Sequence, residues 1–261
     1  MRILITNDDG ISAPGLEAAE AIAHELAGPD GEVWVVAPAF EQSGVGHCVS
    51  YIRPMRLEPL GPRRHAVEGS PADCVMAGLY EVMADCQPDL VLSGVNRGHN
   101  VAEDTLYSGT IGGAMEAALQ GRRAIAMSQY FGPENRHLED PFAAARAHGA
   151  RVIRQILAAD IWEETRYGVF YNINFPPCPA GDVRGVKATR QGHRASATFG
   201  VERQVAPNGR TYLWLTHGHD NASSAPGTDA REALEGHITV TPLRADLTAH
   251  DLVDRLSPAL S

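Results

Sequence analysis

Short apolar runs alternate with helical patterns over the first two thirds of the chain. Continuously apolar runs predict strands buried on both faces, and the segments between them place apolar residues three or four positions apart, as helices do. The predicted strands are residues 2–6, 33–36, 89–93, 124–127 and 169–175. Strands that alternate with helices predict an α/β fold with a doubly wound, mostly parallel, Rossmann-like sheet.

Two of the predicted helices carry clear start signals. Pro14 suits the first turn of a helix whose apolar face includes Leu16 and Ile22. Ser70-Pro71-Ala72-Asp73 combines an N-cap serine, a first-turn proline and an acidic residue at the capping-box position. Further helices are predicted over 110–120 and from Asp140 to about Ala159.

The pattern changes after about residue 180. Predicted strands at 183–189, 211–216 and 237–241 are separated by Gly, Pro, Asn and Arg, and one helical segment follows at 247–256. We therefore divide the chain into an α/β core, residues 1–180, and a β-rich extension with a C-terminal helix, residues 181–261. Long hairpins of this kind can project from a core and pair with another subunit.

Composition and charge exclude several classes of protein. The 261 residues are 44% hydrophobic and 21% charged, which is typical of a globular domain rather than a disordered or fibrous chain. A net charge of −10 without a basic stripe argues against binding to duplex nucleic acid. Four cysteines without metal-binding spacing, and the lack of a signal peptide or a long apolar segment, lead us to expect a cytoplasmic protein that does not bind membranes.

Adjacent carboxylates follow the first predicted strand. Asp8 and Asp9 lie within Thr6-Asn7-Asp8-Asp9-Gly10, at the carboxyl end of the strand, where open α/β sheets bind their ligands. Two neighbouring carboxylates repel each other unless a cation lies close by. A turn that caps the next helix is the alternative, but one aspartate would be enough for that. The pair therefore indicates a site for a hard metal ion.

Two further polar clusters follow later strands. Ser43 lies in a loop after the second strand, where an ordinary turn is the alternative interpretation. Asn96, with a neutral amide oxygen, follows the strand at 89–93. Ser108-Gly109-Thr110 begins a helix and offers hydroxyls and backbone N–H groups to an anion, although simple N-capping would need only one hydroxyl. A metal site beside such an anion site indicates phosphate-ester chemistry.

Other polar residues give weaker signals. The run His217-Gly218-His219-Asp220 is either a metal-ligand set or, with better support, a solvated hairpin turn. His47 and His99 adjoin the predicted site and are candidates for proton transfer. Neither GxGxxG nor GxxxxGK[ST] occurs, which argues against a dinucleotide or nucleoside-triphosphate cradle.

Several of these motifs, taken in order, resemble the SurE (survival protein E) family of 5′/3′-nucleotidases. Asn7-Asp8-Asp9-Gly10 with Ala13-Pro14-Gly15-Leu16 resembles the N-terminal signature of that family. The other matching motifs are Ala37-Pro38, Ser43-Gly44, GSPADCV at 69–75, SGVN at 93–96, Gly98, Asn100, YSGT at 107–110, Asn174-Phe175-Pro176, Gly227-Thr228-Asp229 and Thr241-Pro242-Leu243. The resemblance covers nearly the whole chain, but residues 134–140 and 190–210 match little, which leaves the substrate range open.

The resemblance implies a SurE-like metallophosphatase that converts nucleoside 5′-monophosphates, and also 3′-monophosphates, to nucleoside and phosphate. It implies metal ligation by Asp8, Asp9, Ser43 and Asn96, with the two aspartates catalytic, and phosphate binding by Asn100, Ser108, Gly109 and Thr110. It also implies a homodimer or homotetramer that exchanges C-terminal arms. Since all four proposed ligands present oxygen, one Mg²⁺ or Mn²⁺ ion per subunit is favoured.

Other interpretations exist for the role of Ser43 and for the function of the whole protein. Ser43 is an alternative covalent nucleophile, although no base precedes it in the sequence. A non-catalytic nucleotide sensor would use the same pocket. A phosphoacceptor signalling domain would need a lysine at a strand end, and Lys187, the only lysine, lies in the extension. A metal-dependent sugar deacetylase would need histidine in the Asp-Asp loop, which contains none.

Overall fold

A computed structural model of the chain describes residues 1–162, 167–194, 199–217 and 221–260. Nine strands among these residues form one sheet, and two more form a separate hairpin. The strands are β1 (Arg2–Thr6), β2 (Glu32–Pro38), β3 (Leu57–Gly61), β4 (Arg64–Val67), β5 (Leu90–Arg97), β6 (Ala124–Gln129), β7 (Phe170–Phe175), β8 (Gly185–Ala188), β9 (Phe199–Val205), β10 (Thr211–His217) and β11 (His237–Leu243). The helices are α1 (Pro14–Ala27), α2 (Pro71–Ala77), α3 (Gly109–Leu119), α4 (Ala143–Ala159), α5 (Asp229–Leu234) and α6 (His250–Leu256). No helix of the described residues is both long and apolar enough to cross a membrane.

The sheet is wound outward from its centre in both directions. Its strand order is β3-β4-β2-β1-β5-β6-β7-β11-β8. β1 pairs in parallel with β2 on one side and with β5 on the other, and β6 and β7 continue in parallel beyond β5. This arrangement confirms the doubly wound, mostly parallel fold, and it brings the carboxyl ends of β1, β2 and β5 together.

Helices cover both faces of the sheet because successive side chains of a strand point to opposite sides. Ile3 and Ile5 of β1 pack in one buried cluster with residues of α1 and α4. Leu4, between them, packs in a second buried cluster with residues of α2 and α3. Strands buried on both faces are the reason why their sequences are apolar throughout rather than alternating.

The predicted capping box opens α2. The Ser70 hydroxyl accepts a hydrogen bond from the Asp73 backbone N–H at 3.1 Å, and the Asp73 carboxylate accepts one from the Ser70 N–H at 2.9 Å. Asp73 also accepts two bonds from Ser50, through its backbone and its hydroxyl. The start of α2 therefore fixes the end of the loop that carries Ser43. This local prediction is confirmed.

Several predicted boundaries were wrong. β5 continues to Arg97, with a shift of its register against β6 between Ser93 and Asn96, so Asn96 lies within the strand rather than beyond it. α4 begins at Ala143 and not at Asp140, because Asp140 lies in the turn before the helix, where its carboxylate accepts a bond from the N–H of Phe142 and its carbonyl accepts one from the N–H of Ala143.

Some elements carried no recognisable pattern. β3 contains Pro59 and is largely exposed, so an apolar run could not predict the β3–β4 hairpin. β9 is exposed along its whole length, and α5 has only six residues. The C-terminal helix begins at His250, three residues later than the predicted segment.

The chain beyond residue 180 contributes to two sheets. β11 pairs antiparallel with β7, and β8 pairs in parallel with β11 at the edge of the main sheet. β9 and β10 pair only with each other in the part of the chain that the structure describes. The separation of 181–261 as a unit of its own stays a prediction.

Candidate active site

Three loops meet at the carboxyl edge of β1, β2 and β5. The backbone N–H of Gln42, next to Ser43, donates to the carbonyl of Asp8 at 2.7 Å. The N–H of Arg97, next to Asn96, donates to Asp9 Oδ2 at 2.9 Å. These contacts join segments that are more than 30 residues apart in sequence, as expected for the ends of neighbouring parallel strands.

The two carboxylates are held in an environment that disfavours their negative charge. Burial raises the pKa of Asp8 to about 6, with a further contribution from the charge of Asp9 and opposition from hydrogen bonds with Thr110. Burial also raises the pKa of Asp9, and the N–H of Arg97 opposes that effect. A divalent cation at this position would relieve the cost of both charges.

The turn after β1 is fixed by its own hydrogen bonds. Asn7 Nδ2 donates to the carbonyl of Gly10 at 2.9 Å, and Gly10 has a φ of +99°, which favours glycine. The N–H of Ile11 then donates to the carbonyl of Pro38 at 2.8 Å. The turn therefore ties the carboxylate pair to the end of β2. Asn7 Oδ1 is buried without a hydrogen-bond partner among the described residues.

The N-terminus of α3 lies against Asp8. The Thr110 hydroxyl donates to Asp8 Oδ1 at 2.6 Å. A Cβ atom on Gly109 would lie 2.9 Å from Asp8 Cβ and 3.2 Å from Asp8 Oδ2, so only glycine allows this approach. Ser108 caps the helix, with its hydroxyl accepting from the N–H of Ile111 at 3.1 Å. Capping thus occurs, and phosphate binding by these residues stays a prediction.

We expect Gly109→Ala to reduce the activity that depends on Asp8 by about tenfold, since perturbing the groups that orient a ligand typically costs 10–100-fold. The added methyl group must displace the Asp8 side chain or the first turn of α3. Phosphate release and metal affinity would both be measured. Gly181→Ala is the matched control, because a Cβ at Gly181 meets nothing within 4 Å. Equal activity of the two variants would show that the contact has no influence.

The other predicted ligands face different surroundings. Ser43 is exposed, and its hydroxyl donates to Glu41 Oε1 at 2.9 Å. Asn96 is half-buried, and its Nδ2 donates to the carbonyl of Gly98 at 3.1 Å, a bond that does not use its amide oxygen. Each side chain thus has an oxygen atom that can bind a cation. Each also lies next to a residue whose backbone N–H contacts Asp8 or Asp9.

Asn100 is buried in a network of asparagines. Its Nδ2 donates to Ser128 Oγ at 2.8 Å, and its N–H donates to Asn174 Oδ1 at 2.8 Å. Its carbonyl accepts from the amides of Asn172 and Asn174. The network holds the segment after β5 against β6 and β7. Our sequence reasoning missed the role of Asn172, although two amides inside the apolar strand VFYNINF were a signal for it.

The histidine candidates pair with other acidic groups. His47 Nε2 lies 2.6 Å from Glu116 Oε2 on α3, and this hydrogen bond is the main reason why the pKa of Glu116 is lowered. His99 Nδ1 lies 3.2 Å from Asp104 Oδ2, and its ring packs edge-on against Tyr130. The metal-ligand candidate at 217–220 lies outside the described residues, apart from the backbone of His217.

A cleft of about 1660 Å³ opens beside the carboxylate pair. Asp9, Gly10 and Ser43 line it at the sheet edge, and Arg97 lies with them. Residues 131 and 136–143 also line it. The site thus combines oxygen donors, a helix N-terminus and an open space large enough for a ligand beyond the donors.

The doubly wound sheet thus places a pair of carboxylates, of which Asp8 is buried and Asp9 half-buried, beside the N-terminus of a helix, at the edge where open α/β sheets bind ligands. Residues 3–198 match the sequence profile of the survival protein SurE family. The chain belongs to this family, and the resemblance found in the sequence is confirmed.

Close relatives extend over the whole chain. A protein named 5′-nucleotidase SurE from Cereibacter sphaeroides strain KD131 is 61% identical over 256 residues, 98% of each chain. Another of that name, from Ruegeria pomeroyi, is 61% identical over 262 residues and covers 100% of both chains. The crystal structure of a SurE protein from Aquifex aeolicus superposes with a TM-score of 0.82 at 32% identity, covering 100% of each chain.

Proposed function

We propose that this protein is a 5′-nucleotidase that hydrolyses nucleoside 5′-monophosphates, and also 3′-monophosphates, to nucleoside and phosphate. The observation that carries the proposal is the match of about 60% identity, over 98–100% of both chains, to proteins named 5′-nucleotidase SurE. The site geometry supports it, since the paired carboxylates lie against the N-terminus of α3, where phosphate groups bind readily.

We assign one divalent cation per subunit, Mg²⁺ or Mn²⁺, to Asp8, Asp9, Ser43 and Asn96. The donors fit such an ion, because all are oxygen atoms and because both carboxylates, Asp8 buried and Asp9 half-buried, have raised pKa values that a cation would lower. When bound, the ion supplies a water of lowered pKa and neutralises charge on the phosphoryl group.

Groups of the protein itself position the carboxylates and the phosphate in this reaction. The Thr110 hydroxyl and the Arg97 N–H fix one oxygen each of Asp8 and Asp9. Ser108, Gly109 and Thr110 present the positive end of α3 to the phosphate, which offsets the acidic charge of the protein. Asn100 supports the phosphate site by fixing the adjoining segment through its bonds to Ser128 and Asn174.

The test is phosphate release from a panel of 5′- and 3′-nucleoside monophosphates. Protein stripped with EDTA would be assayed with and without added Mg²⁺ or Mn²⁺. Release only with metal supports the nucleotidase assignment, and the panel ranks the substrates. Nucleotide binding by folded protein without release under any condition would contradict it and support the non-catalytic sensor.

We propose that the extension builds a homodimer or homotetramer. The β9–β10 hairpin exposes apolar side chains, with Leu213 at 65%, Trp214 at 61% and Leu215 at 76% exposure. An isolated two-stranded hairpin is only marginally stable in water, and exposed apolar patches of this kind mark contact surfaces. Burial against a partner subunit would stabilise the hairpin and remove its apolar side chains from water.

We expect Leu215→Arg to shift the protein to a smaller oligomer, because a charged side chain would replace an apolar contact at the subunit interface. The mass would be measured by light scattering during size-exclusion chromatography. Leu60→Arg is the control, since Leu60 is also an exposed leucine on a strand but lies on β3, an edge strand of the main sheet and not part of the hairpin. An unchanged mass for Leu215→Arg would place the interface elsewhere.

We propose a cytoplasmic location for this enzyme. All four cysteines lie in the described part of the chain and are free thiols. Cys74 and Cys178 are buried, and burial raises the pKa of both thiols, so they are unreactive packing groups. Free thiols without partners for disulfides are typical of a reducing compartment.

A further inference from the structure

The cleft beside the carboxylate pair is much larger than a phosphate group. Small-ligand sites usually have volumes of roughly 300–1,000 Å³, and this cleft measures about 1660 Å³. Its lining runs from Asp9 and Ser43 at the sheet edge to Phe142 and Arg146 at the start of α4. A phosphate bound beside Asp9 and Ser43 would occupy one end only, so the other end is available to the rest of the substrate.

One wall of the cleft presents an exposed phenyl ring. Phe40 follows β2 and is 69% exposed, although an aromatic side chain in water costs free energy. Its backbone passes beside the carboxylate turn, where a Cβ on Gly10 would lie 3.4 Å from the Phe40 carbonyl carbon. Phe40 lines the cleft together with Asp9.

Another part of the lining carries a second aromatic ring and a guanidinium group. Phe131 lines the cleft and packs edge-on against Phe142, with ring centroids 5.2 Å apart. Arg136 is exposed on the same loop. Asn135 is 1% exposed and fixes this loop by accepting from the N–H of Gly132 and donating to the carbonyl of Tyr130. The wall is thus held in place before any ligand binds.

The charge of the cleft favours an uncharged group at the end away from the carboxylate pair. Five carboxylate side chains but only three arginines line it, all within residues 1–162. Arg146 is already paired, with its Nε 3.0 Å from Asp140 Oδ2. A second phosphate or a polyphosphate chain would meet this acidic surplus, whereas aromatic and guanidinium faces stack on the π-face of any nucleic-acid base.

We propose that Phe40, Phe131 and Arg136 form the base subsite of the enzyme. The base of the nucleotide stacks on these groups while its phosphate lies beside the carboxylate pair. Stacking tolerates every base, and a purine covers more of the rings than a pyrimidine, so purine nucleotides are favoured. This inference rests on the proposed nucleotidase function for the identity of the ligand.

The test compares a substrate with a base and one without. The specificity constant kcat/KM would be measured for adenosine 5′-monophosphate and for ribose 5-phosphate, in wild type, Phe40→Ala, Phe40→Leu and Phe40→Trp. The ratio of the two constants cancels any disturbance of Asp9, which both substrates feel equally. We expect the ratio to fall about tenfold in the Ala and Leu variants and to be largely retained in Phe40→Trp, as loss of one stacking contact predicts.

Tyr51→Ala is the matched control, because Tyr51 is an aromatic residue with 90% exposure that does not line the cleft. Adenosine binding, measured by calorimetry, gives a second readout that needs no catalysis. Adenosine binding weakened by Phe40→Ala, without phosphate release by wild type, would retain the base subsite and overturn the nucleotidase function. Phosphate release with the same substrate ratio in wild type and Phe40→Ala would overturn the base subsite alone.

Discussion

Asp8→Asn is expected to reduce metal-dependent phosphate release by a hundredfold to roughly a thousandfold or more, while the protein stays folded. Asparagine has the same shape, and its Oδ1 can still accept the hydrogen bond from the Thr110 hydroxyl. What it lacks is the negative charge that would hold the cation. Phosphate release at saturating Mn²⁺ and far-ultraviolet circular dichroism would be measured together. Full activity in a folded variant would contradict the metal assignment.

The same variant has an expected effect on stability, with a defined sign. Burial raises the pKa of Asp8 to about 6, so the folded state binds a proton more tightly than the unfolded state between about pH 4 and pH 6. Stability therefore falls as the pH rises through that window, and the cost of the charge, roughly 3 kcal/mol, is complete above pH 6. Because asparagine does not ionise, Asp8→Asn should unfold at higher denaturant concentration than wild type at pH 7.5 in EDTA.

Two comparisons make this result specific to the buried charge. The difference from wild type should vanish below about pH 4, where Asp8 is protonated in both states. Added Mn²⁺ should stabilise wild type more than Asp8→Asn. Asp85→Asn, the same change at an exposed position, should alter neither quantity. Equal stability of wild type and Asp8→Asn at pH 7.5 without metal would show that the buried charge has no cost.

Arg194→Met is expected to lower the free energy of unfolding by about 3 kcal/mol at pH 7, because it leaves the partly buried carboxylate of Asp104 without one of its two partners, the other being His99. The Arg194 side chain is fully buried, and its Nη1 donates to Asp104 Oδ1 at 2.9 Å. Its backbone N–H donates to Glu103 Oε1 at 2.8 Å. These bonds join the segment before β9 to the turn that contains Glu103 and Asp104. We therefore expect the variant to lower the stability of the whole protein and not only of this segment.

The pH dependence of this variant has the opposite sign from that of Asp8→Asn. Burial alone would raise the pKa of Asp104, but hydrogen bonds from His99 and Arg194 lower it well below its usual range. A lowered pKa contributes stability above about pH 4, and this contribution is lost as the pH falls further. The deficit of Arg194→Met should therefore be largest at neutral pH and shrink in acid. Urea unfolding at pH 7 and pH 3.5 would measure it, with the exposed Arg53→Met as control.

The central sheet and the capping box of α2 were predictable because their signals are local. Five buried strands appear as apolar runs, and Ser70 and Asp73 are only three residues apart. The β3–β4 hairpin and β9 gave no such signal, since they are exposed and their pairing does not depend on an apolar face.

The candidate site was predictable only as far as the rule for parallel sheets reaches. That rule places Asp8, Ser43 and Asn96 near one edge without any knowledge of side-chain contacts. The network around Asn100 joins residues 72 and 74 positions apart, and it depends on which strand lies beside β6. The need for glycine at 109 likewise follows from the closeness of α3 and Asp8, which no pattern in the sequence reports.

The loop of residues 130–138 has a consequence for how this enzyme can diverge. Its shape is set largely within the loop itself, where Asn135 bonds to Gly132 and Tyr130, while the N–H of Tyr130 at its start donates to the Phe175 carbonyl of β7. Mutations can therefore accumulate in its exposed positions without altering the register of the strands or the distance between the carboxylates. Selection for a new nucleotide preference can act on this loop, while the hydrolytic centre is inherited unchanged.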